Sequence, residues 1–203
     1  MESIEEKTMT ISYFDDKLIK KLYWLNEPSD WSISDGKLVI KPEKTDFWQK
    51  THYGFEVDNG HCLLLNTKQR DFILTTEVSN EWKHQYDQAG LIIRIDKDTW
   101  IKTSCEYEDE HESKLGAVVT NYGYSDWSTK DHSNEHNQIT YKITKKGKDF
   151  IVETSLQPTK WTQIRIAHLH YDQQDLLCGI YACSPIAPGF VAQFHHFNIQ
   201  YTD

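Results

Sequence analysis

Three carboxylates alternate in the run Glu106-Tyr-Glu-Asp-Glu110. On a strand, residues two apart project from one face, and a retaining glycosidase needs a nucleophile and an acid about 5–5.5 Å apart on one surface. Here, however, Asp109 interrupts the alternation, and the run continues as His-Glu-Ser-Lys, which is turn composition. Glu108–Ser113 therefore reads as a solvated hairpin loop, with Glu106 left on the strand before it. A second stretch, Asn121-Tyr-Gly-Tyr-Ser-Asp-Trp-Ser128, follows the apolar run Leu115–Val119. It reads as a loop that carries aromatic and hydrogen-bonding groups at a strand end, where binding sites are commonly built.

Other chemistries find less support. The ten histidines include three pairs, His132 with His136, His168 with His170, and His195-His196, and none of these pairs has a third ligand of the right character nearby. Metal sites need three or four converging ligands, so no metal is expected. Cys183-Ser-Pro185 would set a thiol at a strand end, yet that thiol also fits as a small core residue. Glycine-rich phosphate loops and Gly-x-Ser-x-Gly are absent. Nucleotide binding and serine-hydrolase chemistry thus have no motif behind them, and no cofactor is expected.

The elements that would position these groups are short strands. Phe72, Leu74, Thr76 and Val78 alternate with more exposed types, a half-buried period of two. Lys37–Ile40, Cys62–Asn66, Ala89–Ile95, Trp100–Tyr107, Leu115–Asn121, Gln138–Thr144, Phe150–Ser155, Thr162–His168, Leu176–Ala182 and Phe190–Tyr201 complete the series. Turn composition separates them, as at Asp96-Lys-Asp98 and Lys146-Gly-Lys-Asp149. The polar segment Lys130–Asn137 reads as a loop. This pattern predicts an all-β sandwich of two antiparallel sheets, forming one domain over residues 1–203.

Alternation also sorts side chains by face. Ile101, Thr103, Cys105 and Tyr107 fall on one side of their strand, and Trp100, Lys102, Ser104 and Glu106 on the other. The preceding strand splits into Ala89, Leu91, Ile93 and Ile95 against Gln88, Gly90, Ile92 and Arg94. Pairing of neighbours is expected to gather Arg94, Lys102, Glu106, Asn121 and Arg165 on one sheet face. Such a mixture would suit sugar hydroxyls, or would simply be a solvated face laced with cross-strand ion pairs.

Composition narrows the partners. Asp and Glu outnumber Lys and Arg 31 to 22, a net charge of −9, and the basic residues form no stripe. A field of that sign repels nucleic acid and anionic membrane, so neither is expected as a partner. The N-terminal residues lack the basic and apolar regions of a signal peptide, and no run is long and apolar enough to span a bilayer. Four cysteines without C-x-x-C spacing read as buried free thiols, and the expected compartment is the cytoplasm. Seven Trp, eleven Tyr and eight Phe exceed what a small core needs, so some are expected to line a surface.

The ordered set Asp87-Gln-Ala-Gly-Leu-Ile-Ile-Arg-Ile-Asp96, Trp100-Ile-Lys102, Glu106-Tyr107, Val118-Val-Thr-Asn-Tyr-Gly-Tyr-Ser-Asp-Trp-Ser128 and Cys183-Ser-Pro185 resembles the regulation-of-enolase protein family. The resemblance runs from about Trp24 to Ile199. It implies a concanavalin A-like lectin/glucanase fold, a jelly-roll sandwich of two curved sheets with a concave face. Fold does not transfer activity. The resemblance brings no catalytic residues with it, and no acidic triad of the glucanase type is present. The ligand-binding candidates are Trp48, His52, Gln88, Lys102, Glu106, Asn121, Asp126, Trp127 and Arg165. The expected function is a non-catalytic protein that binds carbohydrate or a sugar-like metabolite. A regulatory protein acting through a protein partner in sugar metabolism ranks second, and a glycoside hydrolase third.

Overall fold

The computed structural model describes residues 8–202 apart from 12, 69, 158, 159, 173 and 174. In chain order its elements are β1 (Thr8–Ile11), the helical turn α1 (Asp16–Ile19), β2 (Tyr23–Leu25), β3 (Trp31–Ser34), β4 (Lys37–Ile40), β5 (Phe47–Gln49), β6 (Glu56–Asp58), β7 (His61–Asn66) and β8 (Phe72–Glu81). There follow β9 (Gln88–Asp96), β10 (Thr99–Tyr107), β11 (Glu112–Asn121), β12 (Tyr124–Ser133), β13 (Gln138–Lys146), β14 (Asp149–Ser155), β15 (Thr162–His168), β16 (Leu177–Cys183) and β17 (Val191–Tyr201). One sheet runs β15-β14-β13-β8-β17-β4-β3, with β1 also paired to β17; the other runs β12-β11-β10-β9-β16-β7-β2. The two form an antiparallel sandwich, the class that the sequence predicts.

The core fills from alternate positions of both sheets. Phe72, Leu74 and Val78 of β8 and Ile139, Tyr141 and Ile143 of β13 meet Ala89, Leu91 and Ile93 of β9 and Ile101 and Cys105 of β10. All four cysteines are free and buried. Cys105 and Cys178 lie in this main core, and Cys62 and Cys183 in a smaller one on the far side of the β9–β10 sheet. That second core exists because β5 and β6 pair only with each other. Their hairpin lies over the outer face of that sheet, where Phe47 and Trp48 pack on Trp100, Val118, Tyr181, Ile92 and Cys183. The central strands β9 and β10 are therefore buried on both faces.

Two expectations from the sequence are corrected here. Asn121–Ser128 is not a loop: Asn121 pairs with Tyr124, and only Tyr122 and Gly123 form the connection. Both take positive φ, 53° and 73°, as a two-residue type I′ hairpin requires. The Gly123 N–H donates to the Asp98 carbonyl at 3.0 Å, which pins this turn to the one between β9 and β10. Similarly, the first half of Lys130–Asn137 is strand, since β12 continues to Ser133. As an edge strand, β12 has little to bury, so its residues show no apolar period.

Candidate functional site

Strand register lays out the outer face of the β9–β10 sheet as a grid. Trp127, Val118, Lys102, Ile92, Gly179 and Leu64 form one row across six strands. Four residues along each strand, Asp131, Lys114, Glu106, Gln88 and Cys183 form another. Between them Gly116, Ser104 and Gly90 make a lane of very small residues that ends at Tyr181. An added Cβ on Gly90 would stand 1.9 Å from the Thr103 carbonyl oxygen, so a side chain there is excluded by the neighbouring backbone.

A charged cluster sits beside this lane. Lys102 is 2 % exposed, and its Nζ donates to Gln88 Oε1 at 2.6 Å. Asp46 Oδ1 lies 3.6 Å from the same nitrogen and Glu106 Oε1 3.8 Å. The Tyr181 hydroxyl also donates to Gln88 Oε1, at 3.0 Å. A buried lysine tolerates its charge only with such company. Burial pulls the Lys102 pKa down, but Glu106 and Asp46 outweigh it and the net shift is upward. Glu106 moves the other way relative to its charge. Burial raises its carboxyl to about 7, Lys102 offsets part of this, and Asp46 and Glu108 push it further up. Two carboxylates share one ammonium, so one of them bears the imbalance.

This arrangement fixes a pH dependence. Between 4.5 and about 7 the folded state holds a proton on Glu106 that the unfolded chain has released. Stability should therefore fall as pH rises through that window. Urea unfolding from pH 4.5 to 8 should show that negative slope in the native protein and a clearly smaller one in Glu106→Gln. Equal slopes in both would assign the dependence to other groups.

The β5–β6 hairpin supplies a wall. Asp58 holds Arg94 with two bonds, Nη1 to Oδ1 at 2.6 Å and Nη2 to Oδ2 at 2.7 Å, and Phe47 lies against the same guanidinium. The Gln49 N–H donates to Ser125 Oγ at 2.9 Å on the edge strand. Trp48 packs against Tyr53, centroids 5.5 Å apart, and Tyr53 stacks on Phe55. Tyr53 and Phe55 are exposed at the hairpin tip. Next to Glu106 in the chain, the Tyr107 carbonyl accepts from the N–H of Tyr86 at 2.6 Å, and Tyr86 is held at φ 71°, a conformation that bulky residues seldom adopt. Its phenol pKa is raised, first by burial and then by Glu108, Tyr53 and Glu106.

The structure brings together only part of the predicted set. Gln88, Lys102 and Glu106 share the cluster, Trp127 stands at the end of the Lys102 row, and Trp48 lies in the wall beside it. His52 is exposed at the hairpin tip with its ring edge on Tyr53 at 4.8 Å. The other three sit elsewhere. Asn121 shares its face with the core residue Val119, and it closes the sandwich edge by donating to the His168 carbonyl and accepting from the His170 N–H, both at 2.9 Å. Asp126 pairs with Arg165 at 2.8 Å, joining edge strands β12 and β15 of opposite sheets. The single-face grouping of Arg94, Lys102, Glu106, Asn121 and Arg165 fails for the last two because Asn121 has the opposite parity and Arg165 belongs to the other sheet. The solvated-face alternative fails too, since Gln88, Lys102, Arg94 and Glu106 are all buried under the hairpin.

Sequence reasoning missed Asp46, Tyr53, Tyr86 and Tyr181. Asp46 and Tyr53 flank and follow a three-residue strand that has no readable period, and Tyr86 precedes β9 in a turn. Tyr181 was readable in principle, by extending the alternation of Cys178, Ile180 and Ala182 to the opposite face. Among the described residues, no group of three or more His, Cys, Asp and Glu stands close enough to hold a metal ion, and no helix is long and apolar enough to cross a membrane.

Comparison with known proteins places this architecture. Regulation of enolase protein 1 of Saccharomyces cerevisiae is 33% identical over 181 residues, which is 87% of each chain. The crystal structure of a functionally unknown protein from Saccharomyces cerevisiae has a TM-score of 0.82 at 31% identity, covering 91% of this chain and 98% of that one. More distant likenesses show the fold alone. Bacteroides ovatus xyloglucan PUL GH43B has a TM-score of 0.73 at 14% identity over all of this chain and 40% of its own. Lectin I-B4 of Griffonia simplicifolia reaches 0.61 at 11% identity over 97% and 99%. The sandwich is thus the lectin-like jelly roll that the sequence resemblance implies. The profile of the family described as protein of unknown function (DUF1349) matches residues 24–202, from within β2 to the end of β17. The chain belongs to that family.

Proposed function

We propose that this protein binds a carbohydrate or a sugar-like metabolite without transforming it. The ligand would sit beside the exposed hairpin-tip rings of Tyr53 and Phe55 and reach toward Glu106. The carrying observation is Glu106 itself, a carboxyl raised to about 7 beside a buried ammonium, at the edge of an aromatic-walled lane. Such a group donates or accepts a hydrogen bond near neutral pH, and aromatic rings offer flat faces to a sugar ring. Binding is favoured over hydrolysis because both acids of the cluster, Asp46 and Glu106, attend the same lysine. Neither stands free as a nucleophile or base.

The test is a titration with neutral oligosaccharides and sugar phosphates, followed by tryptophan fluorescence and calorimetry. Saturable binding is expected with at least one class. Glu106→Gln should weaken it by roughly tenfold or more, the scale of one charge-assisted hydrogen bond. A flat response across the panel would sink the proposal.

A second reading draws on the exposed aromatics Tyr53, Phe55, Tyr122 and Tyr124 and on the regulatory name of the yeast relative. Lys50 lies over the Tyr124 ring at 5.6 Å, so the two hairpin tips adjoin. In that reading the tips form a contact surface for a protein partner in sugar metabolism. Tyr53→Ala/Phe55→Ala would then abolish partner capture in a purified system with no sugar present.

A further inference from the structure

The outer face of the other sheet holds a constellation that the proposed ligand site does not use. Ser79 Oγ lies 2.7 Å from His195 Nε2. On the far side of the imidazole, His195 Nδ1 stands 3.5 Å from Glu77 Oε1. Glu77 is itself oriented, accepting from Gln138 Nε2 at 2.8 Å and from Thr140 Oγ1 at 3.3 Å. A hydroxyl within hydrogen-bond reach of a base, with that base held by a third group, is the pattern of an activated nucleophile. It is recognised by geometry and not by a local motif, which is why the absence of Gly-x-Ser-x-Gly does not bear on it.

The backbone builds this arrangement on purpose. The pairing of β17 with β8 slips by one residue between Phe194 and His196, so His195 is the extra residue of a β-bulge. Bulges re-aim side chains. Here Phe194 and Phe197 both stay in the core, while His195 and His196 are only partly buried. The Thr76 hydroxyl donates to the His196 carbonyl at 2.6 Å, which holds the irregular segment in place. Glu77, Gln138, Thr140 and His196 line a depression of about 570 Å³, and Gln138 is the cross-strand partner of Ser79.

We propose that Ser79 is a nucleophile activated by His195 as general base, with Glu77 as the positioning residue, and that this site reacts with small activated acyl or phosphonyl esters. In the reaction with an ester, a bond forms from Ser79 Oγ to the acyl carbon while the serine proton passes to His195 Nε2. The bond to the leaving alkoxide breaks, and His195 returns the proton to it. Water then hydrolyses the acyl-serine by the same base. The base must be neutral to begin. Burial, Lys37 and His196 lower the His195 pKa and Glu77 works against them, with a net shift downward, so it meets that requirement at pH 7.

One part of a fast hydrolase is missing. Ser79 lies within β8, between β13 and β17, so its backbone N–H groups belong to the ladder and not to an oxyanion hole. The two side-chain amides opposite Ser79 are already committed, Gln193 to Glu81 Oε1 and Gln138 to Glu77 Oε1, each at 2.8 Å. Losing one oxyanion donor costs roughly 10²–10³ in rate. Acylation and deacylation both pass through that oxyanion, so each step is slowed and the site reacts only with strongly activated esters.

An alkyl fluorophosphonate tests this without turnover: the Oγ–P bond forms, the P–F bond breaks, the proton goes to His195 and fluoride leaves. Intact-mass and peptide analysis at pH 7.5 should find a single adduct on Ser79. It should be absent in Ser79→Ala, at least tenfold slower in His195→Ala, and partly restored there by added imidazole. The labelling rate should fall with acid as His195 gains its proton. No adduct on the native protein, an adduct only at other residues, or His195→Ala labelled at the native rate would each overturn the proposal.

Discussion

Lys102→Ala should destabilise the protein by ~3–5 kcal/mol, the scale for removing one partner of a buried ion cluster. The residue is 2 % exposed, and its loss leaves Asp46 and Glu106 facing each other and Gln88 Oε1 without its strongest donor. For a chain of this size, where each kcal/mol shifts Tm by ~2–4 °C, the melting temperature should fall by about 10 °C. Charge, more than lost packing, is held responsible. The triple variant Lys102→Met/Asp46→Asn/Glu106→Gln should therefore recover most of the loss, because an uncharged cluster of similar volume owes no desolvation cost. Urea denaturation decides the matter, and a single-variant loss below ~1 kcal/mol would mean that water already screens the cluster.

Phe47→Ala is the second large effect, also expected at ~3–5 kcal/mol. Phe47 is fully buried between Trp100, at 6.0 Å, and Tyr181, at 6.3 Å, and it lies against the Arg94 guanidinium. The aromatic ring is the hairpin's main anchor in the second core. Its loss should expose residues 50–55 to limited proteolysis while β8, β13 and β17 keep their protection from hydrogen exchange. If cleavage stays at the native level, the Arg94–Asp58 bridge and the Gln49–Ser125 bond hold the hairpin unaided.

What the sequence made legible followed from burial. β9 and β10 declare their two faces because each face meets a different environment, and Ile101 and Cys105 did go to the core while Trp100 and Lys102 went outward. The Gly147-Lys148 hairpin and the β8 alternation were equally readable. The strand β12 was not, because Tyr124–Ser133 sits at an edge and buries mainly Ser125 and His132. For the site, the deciding fact is tertiary. Lys102 looked like one member of a wet polar face until a hairpin from 50 residues earlier in the chain covered it. Three-residue strands such as Phe47–Gln49 carry no period from which that cover can be foreseen. The Ser79–His195–Glu77 contact was hidden for a related reason, since strict alternation cannot place His195 and His196 together on the outward side; only the bulge does.

The hairpin's isolation has an evolutionary side. Because β5 and β6 hydrogen-bond only to one another as strands, residues 50–55 can be lengthened, shortened or recomposed without disturbing any ladder of the sandwich. Divergence in ligand preference among relatives should then concentrate in that tip. The charged floor around Lys102 is committed to the stability of the whole and is much less free to change. The molecule separates a part that can drift from a part that cannot, and it places the boundary between them at Trp48.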